Sequence, residues 1–241
     1  MAAGAPRLLP RLALAAVALA CASSVRAQFV GTLALASQNR YRGTATDDVG
    51  PVARASVMAD APFGLYGGVS GLWRTRDGGL SQVDMLVGWS GRLNRFDALA
   101  EIDPAWAWDI GWRHTHYGES AQYDFSEGML GLLAPGVSAR LWWASHYFGS
   151  GWSSLYAELN ASRDLDQHWR AFAHVGHLSY GPGADGVRPP GRTDASAGAA
   201  WVGDGWDLRL ARDGLIAGQA LDAVNRRSHR SGWVLSGSIS F

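Results

Sequence analysis

Cysteine and lysine are almost absent from this sequence. Its 241 residues contain one cysteine, Cys21, and all 21 basic residues are arginine. Because Cys21 lies in an N-terminal segment that we expect to be removed, the rest of the chain cannot form an internal disulfide bond, even in an oxidising compartment. Beyond that segment, Arg, Asp, Gly or Ser interrupts every apolar run, which excludes a transmembrane helix. The remaining chain either is soluble or crosses a membrane as β-strands.

The N-terminus has the pattern of a secretory signal peptide. Two arginines and an apolar stretch at 12–21 precede a small-x-small cleavage site that ends at Ala27. The apolar stretch is shorter than the roughly 18 residues that a membrane anchor needs. We therefore expect residues 1–27 to be cleaved, which leaves 28–241 as a single domain. Lipid attachment at Cys21 is an alternative, but the residue three positions before it is not the Leu that such sites prefer.

The charge balance argues against nucleic acid as a partner. Loss of Arg7, Arg11 and Arg26 with the leader leaves 18 basic against 21 acidic residues. Such a chain has no net attraction for a phosphate backbone.

The glycine-rich stretch at 181–183 has no lysine and no following helix, so it is not a phosphate-binding loop, and we expect no cofactor.

Apolar and polar residues alternate through the rest of the chain. In the segment 82–90, for example, Val83 and Val87 fall on one face and Asp84 and Ser90 on the other. This two-residue period is typical of β-strands. It predicts twelve strands, at about 29–42, 51–59, 65–74, 81–91, 105–116, 125–134, 137–148, 154–162, 169–180, 193–202, 206–212 and 231–241.

The predicted connections alternate between short and longer segments. An even strand number, with short turns at one end and longer loops at the other, is typical of outer-membrane barrels. We therefore expect an all-β fold, a transmembrane antiparallel β-barrel of about 12 strands. The connection at 92–104 is longer than the short turns expected at its end of the barrel. Either the fifth strand begins earlier, with a bulge or kink near Pro104, or the strand count is wrong by one hairpin.

Tryptophan and glycine are abundant, at 12 and 31 residues. Most of the tryptophans that fall on apolar strand faces lie near strand ends, as in belts at the headgroup level of a bilayer. A soluble, Trp-rich sandwich is the alternative.

The last predicted strand carries Trp233, Leu235, Ile239 and Phe241 on one face. Alternating apolar residues with a terminal Phe form the kind of signal that barrel-assembly machinery recognises. We expect these four residues to be that signal, although an edge strand of a soluble sheet could end in the same way.

Charged residues within the strands fall on the face opposite the apolar one. An arginine that faces the middle of a bilayer costs about 2–4 kcal/mol, so these residues are better placed in a water-containing lumen. We expect them to hold water and bias selectivity, without performing chemistry. The predicted lumen-lining residues are Arg40, Arg42, Arg54, Arg74, Asp84, Arg113, Arg140 and Glu158.

Several short motifs, in order, resemble the TorF-like porin family over nearly the whole mature chain. They are LASQNRYRG at 35–43, GLYGGV at 64–69, SHYFG at 145–149, LYAEL at 155–159, HVG at 174–176 and SISF at 238–241. The resemblance implies an outer-membrane barrel with porin activity. The chain departs from the pattern at 96–109, and His146 stands where the family pattern has an acid.

These observations leave three classes of function open. The first is a porin of the Gram-negative outer membrane that lets small polar solutes or ions diffuse through its lumen. The second is a closed structural or adhesion barrel. The third is an outer-surface lipid esterase in which His177 takes the proton of Ser179, although no third group or oxyanion hole is evident.

Two smaller clusters are candidate binding sites. His114 and His116 share one strand face and could hold zinc. A third ligand is needed, and because nothing in the sequence supports Asp109 or Glu119 in that role, we expect no metal. Arg226, Arg227 and Arg230 could touch lipopolysaccharide phosphates, and a solvated loop is the simpler interpretation. The expected partners are outer-membrane lipid, lipopolysaccharide, the barrel-assembly machinery and the solutes themselves.

Overall fold

The computed structural model describes residues 28–45, 50–118, 120–183, 186–218 and 231–241. The predicted leader at 1–27 and the arginine cluster at 226–230 lie outside these residues. In the part of the chain that is described, no helix is long and apolar enough to cross a bilayer.

Twelve antiparallel strands form one closed barrel, and a two-stranded hairpin lies apart from it. The fold is therefore the all-β, twelve-stranded barrel that the alternating pattern predicts. The barrel strands are β1 (Gln28–Ala36), β4 (Val52–Asp60), β5 (Leu65–Arg74), β6 (Leu80–Arg92), β7 (Ala107–Tyr117), β8 (Phe125–Ala134), β9 (Val137–Ala144), β10 (Ser154–Asp164), β11 (Trp169–Tyr180), β12 (Arg192–Gly203), β13 (Trp206–Ala217) and β14 (Gly232–Ser240); the hairpin strands are β2 (Arg40–Tyr41) and β3 (Thr44–Ala45).

The first and last strands close the barrel. Leu33 of β1 lies opposite Ile239 of β14. Beyond the strand, Phe241 and Gly31 exchange two backbone hydrogen bonds of 2.9 and 3.0 Å. A Cβ at Gly31 would lie 2.6 Å from Cε2 of Phe241, so the absence of a side chain there makes room for the terminal ring. Because β1 pairs with β14, the barrel formed by the described strands has no free strand edge.

The two ends of the barrel differ in the length of their connections. One end, the short-turn rim, carries the turns at 61–64, 135–136, 165–168 and 204–205, the longer connection at 93–106, and both Gln28 and Phe241. The other end, the long-loop rim, carries the connections at 37–51, 75–79, 118–124, 145–153, 181–191 and 218–231. Except for 93–106, this division agrees with the predicted alternation of short and longer connections.

The connection between β6 and β7 resolves the conflict at 92–104. Residues 93–106 contain two short 3-10 turns, Leu93–Arg95 and Asp97–Leu99, and β7 starts at Ala107. Both explanations offered for this segment are wrong: the fifth strand does not begin earlier, and no hairpin was miscounted. Residues 97–99 form a 3-10 turn, although the apolar residues around them alternate as in a strand.

Three predicted strands have wrong ends. The first strand stops at Ala36, and Arg40–Ala45 fold separately as the β2–β3 hairpin. The seventh stops at Ala144, after which Tyr147–Gly149 form a 3-10 turn with Phe148 at φ +51°. The eleventh continues to Ala217, because residues 213–217, which the pattern assigned to a loop, also pair with β12. A further 3-10 turn, Ala121–Tyr123, precedes β8.

The outer surface of the barrel is apolar because the strand pleat turns alternate, apolar side chains outward. Outward side chains such as Leu35, Val57 and Leu130 are half exposed or more, while the residues between them point into the lumen. Outward tryptophans form two belts. Near the long-loop rim the belt consists of Trp73, Trp112, Trp143 and Trp233; near the short-turn rim it consists of Trp89, Trp108, Trp169, Trp201 and Trp206. Such belts sit at the two interfaces of a bilayer.

Candidate functional site: the lumen and its inserted hairpin

The β2–β3 hairpin folds into the barrel and ends in a tight turn. Arg42 and Gly43 both have positive φ angles, +51° and +74°, as the mirror-image turns of two-residue hairpins require. The Thr44 hydroxyl donates to the carbonyl of Tyr41 at 3.0 Å. A Cβ at Gly43 would overlap the Cβ of Asp194, so the turn tip presses against β12 and only glycine fits there.

Glu127 of β8 gathers the charged groups at the hairpin. Its carboxylate accepts hydrogen bonds from Arg42 at 2.7 Å, from the hydroxyl of Tyr41 at 3.0 Å and from Arg113 of β7. Glu127 is 1% exposed and Arg42 is 8% exposed. Charged groups are buried at little cost only when they are paired and hydrogen-bonded, and here two guanidinium groups share one carboxylate.

Aromatic rings surround the two arginines. The Arg42 guanidinium carbon lies 4.2 Å from the ring centre of Tyr156, 4.8 Å from that of Tyr41 and 5.3 Å from that of Tyr147. Arg113 lies 4.4 Å from the ring centre of Trp142. These are cation–π distances, and the interaction strengthens when water is excluded.

A hydrophobic cluster fills the lumen between the hairpin and the long-loop rim. The ring centres of Phe148 and Phe125 are 4.9 Å apart, those of Phe148 and Tyr147 are 4.7 Å apart, and Phe148 also packs edge-on against Tyr41 at 6.0 Å. Leu178 is fully buried in the same cluster. Side chains of β4 to β7 near this rim are also buried: Val52, Leu72, Gln82 and Thr115, the last of which pairs with Phe125.

A charged vestibule lies on the other side of the hairpin. This cavity of about 670 Å³ extends from the hairpin to the β8–β9 turn at the short-turn rim. Its lining includes Arg140, Glu158, Asn160, His174, Asp194, Ser196, Arg209 and Asp213. Both charge signs line a space large enough for water and small solutes.

The vestibule wall contains a chain of polar contacts. The Tyr156 hydroxyl lies 3.0 Å from His174 Nε2 and donates to Asp194 at 3.1 Å. His174 Nδ1 is 2.8 Å from the side-chain oxygen of Asn160. Glu158 accepts a hydrogen bond from the Trp142 indole at 3.0 Å. Each of these polar groups is thus held by a neighbour on the next strand or across one.

The eight predicted lumen residues lie at four places. Arg40, Arg42 and Arg113 are at the hairpin, where Arg40 is 3.5 Å from Asp213. Arg140 and Glu158 line the vestibule. Arg54 and Asp84 form a 3.1 Å ion pair on the β4–β6 wall, whereas Arg74 pairs with Asp77 at the long-loop rim.

Glu127, Tyr156, His174 and Asp194 were missing from the predicted set. The alternating pattern puts all four on inward faces. It does not say which inward residues meet across the lumen, because that depends on strand tilt and on the path of the first loop.

The esterase arrangement gains no support from the contacts of its two residues. His177 Nδ1 is 2.9 Å from the Thr193 hydroxyl, and the Ser179 hydroxyl donates to the carbonyl of Leu155 at 3.2 Å. Each residue is thus engaged with a neighbouring strand, and neither hydrogen bond joins the two.

The two histidines of β7 also have local partners. His114 lies 3.0 Å from the Ser126 hydroxyl, and His116 lies 2.6 Å from Asp124. Across the residues described, no group of three or more His, Cys, Asp or Glu side chains is arranged to hold a metal ion.

Comparisons with known proteins identify the fold. No family model matches the chain, and no curated protein matches it. The chain is similar to the solved structure of the NanC porin, with a TM-score of 0.54, 10% identity, and coverage of 89% of this chain and 99% of that one. It is also similar to the KdgM porin, solved with a disordered oligogalacturonate, with a TM-score of 0.51, 7% identity and the same coverage. At these identities the likeness shows a porin-type barrel fold, and the TorF-like resemblance stays a prediction.

Proposed function

We propose that this chain is an outer-membrane porin that passes small polar solutes or ions through its lumen. The observation that carries the proposal is the vestibule of about 670 Å³, lined by charged side chains inside a closed barrel with an apolar outer surface. An apolar exterior with paired aromatic belts suits a bilayer, and a polar interior suits water. The fold that the chain shares with two porins agrees with this function.

In this proposal, the paired charges of the lumen set selectivity. Arg140 lies 3.8 Å from Asp109, so this pair is not closely bonded, whereas both ring nitrogens of His174 are already engaged by Asn160, Tyr156 and Asp194. The Arg140 guanidinium therefore keeps hydrogen-bonding capacity for water or a passing solute. The lumen-lining roles of Arg54, Asp84, Arg140 and Glu158 belong to this proposal.

The bacterial outer membrane is the proposed location. The leader at 1–27 would take the chain across the inner membrane, and the outward face of β14, ending at Phe241, would be read by the barrel-assembly machinery. Short turns and both ends of the described barrel would then face the periplasm, and the long loops would face lipopolysaccharide.

A closed, structural barrel is the second candidate, and one observation favours it. The hairpin, with the buried pair of Arg42 and Glu127, and the cluster around Tyr147 occupy the lumen towards the long-loop rim. A barrel filled in this way need not conduct. The esterase candidate is not carried forward, because His177 and Ser179 have other hydrogen-bond partners.

Single-channel recording separates the two candidates. The mature protein, starting at Gln28, is refolded into a planar lipid bilayer, and its folding is checked by heat-dependent mobility in gels. Discrete current steps are the expected result. Arg140→Gln and Glu158→Gln should shift ion preference in opposite directions, because each removes one charge of opposite sign from the vestibule. A folded barrel that carries no current, both at rest and after the hairpin contacts are weakened, would overturn the porin proposal.

A further inference from the structure

Side-chain contacts fasten the hairpin to the barrel wall. Among the described residues, β2 and β3 pair only with each other, in a sheet separate from the barrel. Each of the twelve barrel strands, by contrast, is paired on both sides. The hairpin can therefore leave the lumen without breaking any strand pair of the barrel.

Arg42 is the main anchor of the hairpin. Its side chain reaches the Glu127 carboxylate and lies between the rings of Tyr147 and Tyr156, all three of which belong to the barrel or its loops. The turn that presents Arg42 has this non-glycine residue at φ +51°. Such a conformation is unfavourable for a residue with a side chain and persists only where the surroundings hold it in place.

Glu127 remains compensated if Arg42 departs. Arg113, on the strand next to β8, also donates to the Glu127 carboxylate. Removal of one partner of a buried pair is costly when it leaves a lone buried charge. Because Arg113 stays, release of Arg42 leaves a paired carboxylate behind, and this lowers the cost of moving the hairpin.

The hairpin also separates two regions of the lumen. The aromatic cluster around Phe125 and Tyr147 lies on its long-loop side, and the vestibule begins on its other side, where Arg40, Tyr41, Arg42 and Gly43 form the vestibule's end wall. The same residues that fasten the hairpin thus close the vestibule.

We propose that the β2–β3 hairpin is a removable plug, latched by Arg42 to Glu127, and that the vestibule is reached only from the short-turn rim while the latch is closed. Release of Arg42 opens the path to the long-loop rim. This proposal deepens the proposed porin function, on which it rests, by naming the element that controls passage.

Side-specific cysteine labelling tests the plug without relying on current. The mature chain has no cysteine, so one introduced thiol is the only target. Ser196→Cys places it in the vestibule lining. In oriented liposomes, a small membrane-impermeant methanethiosulfonate reagent is applied to either side. Ser145→Cys in a long loop and Leu165→Cys in a short turn report the orientation of the barrel.

With the latch closed, the thiol of Ser196→Cys should react at least about tenfold faster with reagent added on the short-turn side than with reagent added on the long-loop side. This rate ratio corresponds to a hairpin that is seated in at least about nine barrels out of ten. Adding Arg42→Ala should raise the long-loop rate at least about tenfold. Glu127→Gln should act in the same direction, and it replaces Arg42→Ala if that variant does not fold. Arg170→Ala is the matched control, because it removes an arginine paired with Asp164 at the short-turn rim.

Equal rates from both sides with Arg42 present, or an unchanged long-loop rate in both latch variants, would overturn the plug. Current recordings on the same proteins separate the two proposals. If wild type conducts and Arg42→Ala behaves identically, the porin proposal stands and the plug fails. If wild type is silent while Arg42→Ala conducts, the plug stands and the porin is closed at rest.

Discussion

The Tyr156 ring lies 4.2 Å from the guanidinium carbon of Arg42, and its hydroxyl is tied to His174 and Asp194. Tyr156 therefore connects the inserted hairpin to three consecutive strands, β10, β11 and β12. The ring can lie flat against the wall because residue 176 is a glycine: a Cβ there would overlap the Tyr156 side chain. Support for the hairpin is thus built into the barrel wall.

Gly176→Ala should displace Tyr156 and loosen the hairpin. Forcing a methyl group into this packed site should cost about 1–3 kcal/mol in the free energy of unfolding, measured by urea titration in lipid vesicles. Long-loop labelling of Ser196→Cys should accelerate as well, because Arg42 loses a ring partner. Gly128→Ala is the control, since a Cβ at Gly128 meets nothing within 4 Å. Equal effects of the two substitutions would contradict the role given to Gly176.

Two adjacent positions on β4 test which face meets lipid. Val57 is 50% exposed on the outer surface, while Ser56 points inward between the small residues Thr32 and Ser70. Val57→Arg should destabilise the barrel by about 2–4 kcal/mol in a bilayer, because the charge meets hydrocarbon. Ser56→Arg should cost much less, since its side chain enters the lumen. Urea unfolding from vesicles measures both, and a reversed order would mean that the assigned faces are wrong.

Phe241→Ala should slow barrel closure. The terminal ring covers Gly31, and the Phe241 backbone pairs with the same residue. Loss of the ring should lower the yield and rate of folding into vesicles, followed by heat-dependent gel mobility, while strand content by circular dichroism stays the same in the folded fraction. Phe63→Ala removes an equally apolar, 61% exposed ring from a short turn and serves as the control. Identical folding kinetics for the two variants would remove any special role for the last residue.

The turn between β10 and β11 should lose stability in acid. Hydrogen bonds from the backbone N–H groups of His168 and Trp169 hold the pKa of Asp166 below its ordinary value of 3.8. A carboxylate with a lowered pKa in the folded state stabilises it above the unfolded pKa, and the contribution is lost as the pH falls through the folded pKa. Wild type should therefore lose more stability than Asp166→Asn between pH 5 and pH 2, in the range set by this linkage. Parallel stability curves for the two proteins over that range would refute the assignment.

The two-residue alternation of the chain is enough to specify the wall of the barrel. Alternation with a period of two places Val57 outward and Ser56 inward, and it does so at each strand because successive side chains point to opposite faces. Closure by a last strand ending in Phe241 could also be predicted, since a barrel in lipid leaves no free edge. The alternation places three strand ends wrongly, and it assigns Arg40 and Arg42 to a strand because it continues past Ala36.

Tertiary structure alone decided what fills the barrel. Arg42 and Glu127 are 85 residues apart, and no periodicity brings them together; their contact follows from the turn at Arg42 and Gly43, which sends the first loop inward. Tyr156, His174 and Asp194 meet because β10, β11 and β12 are neighbours in a particular register. Local pattern specifies which face a side chain takes, but only the closed barrel specifies which inward side chains share the lumen.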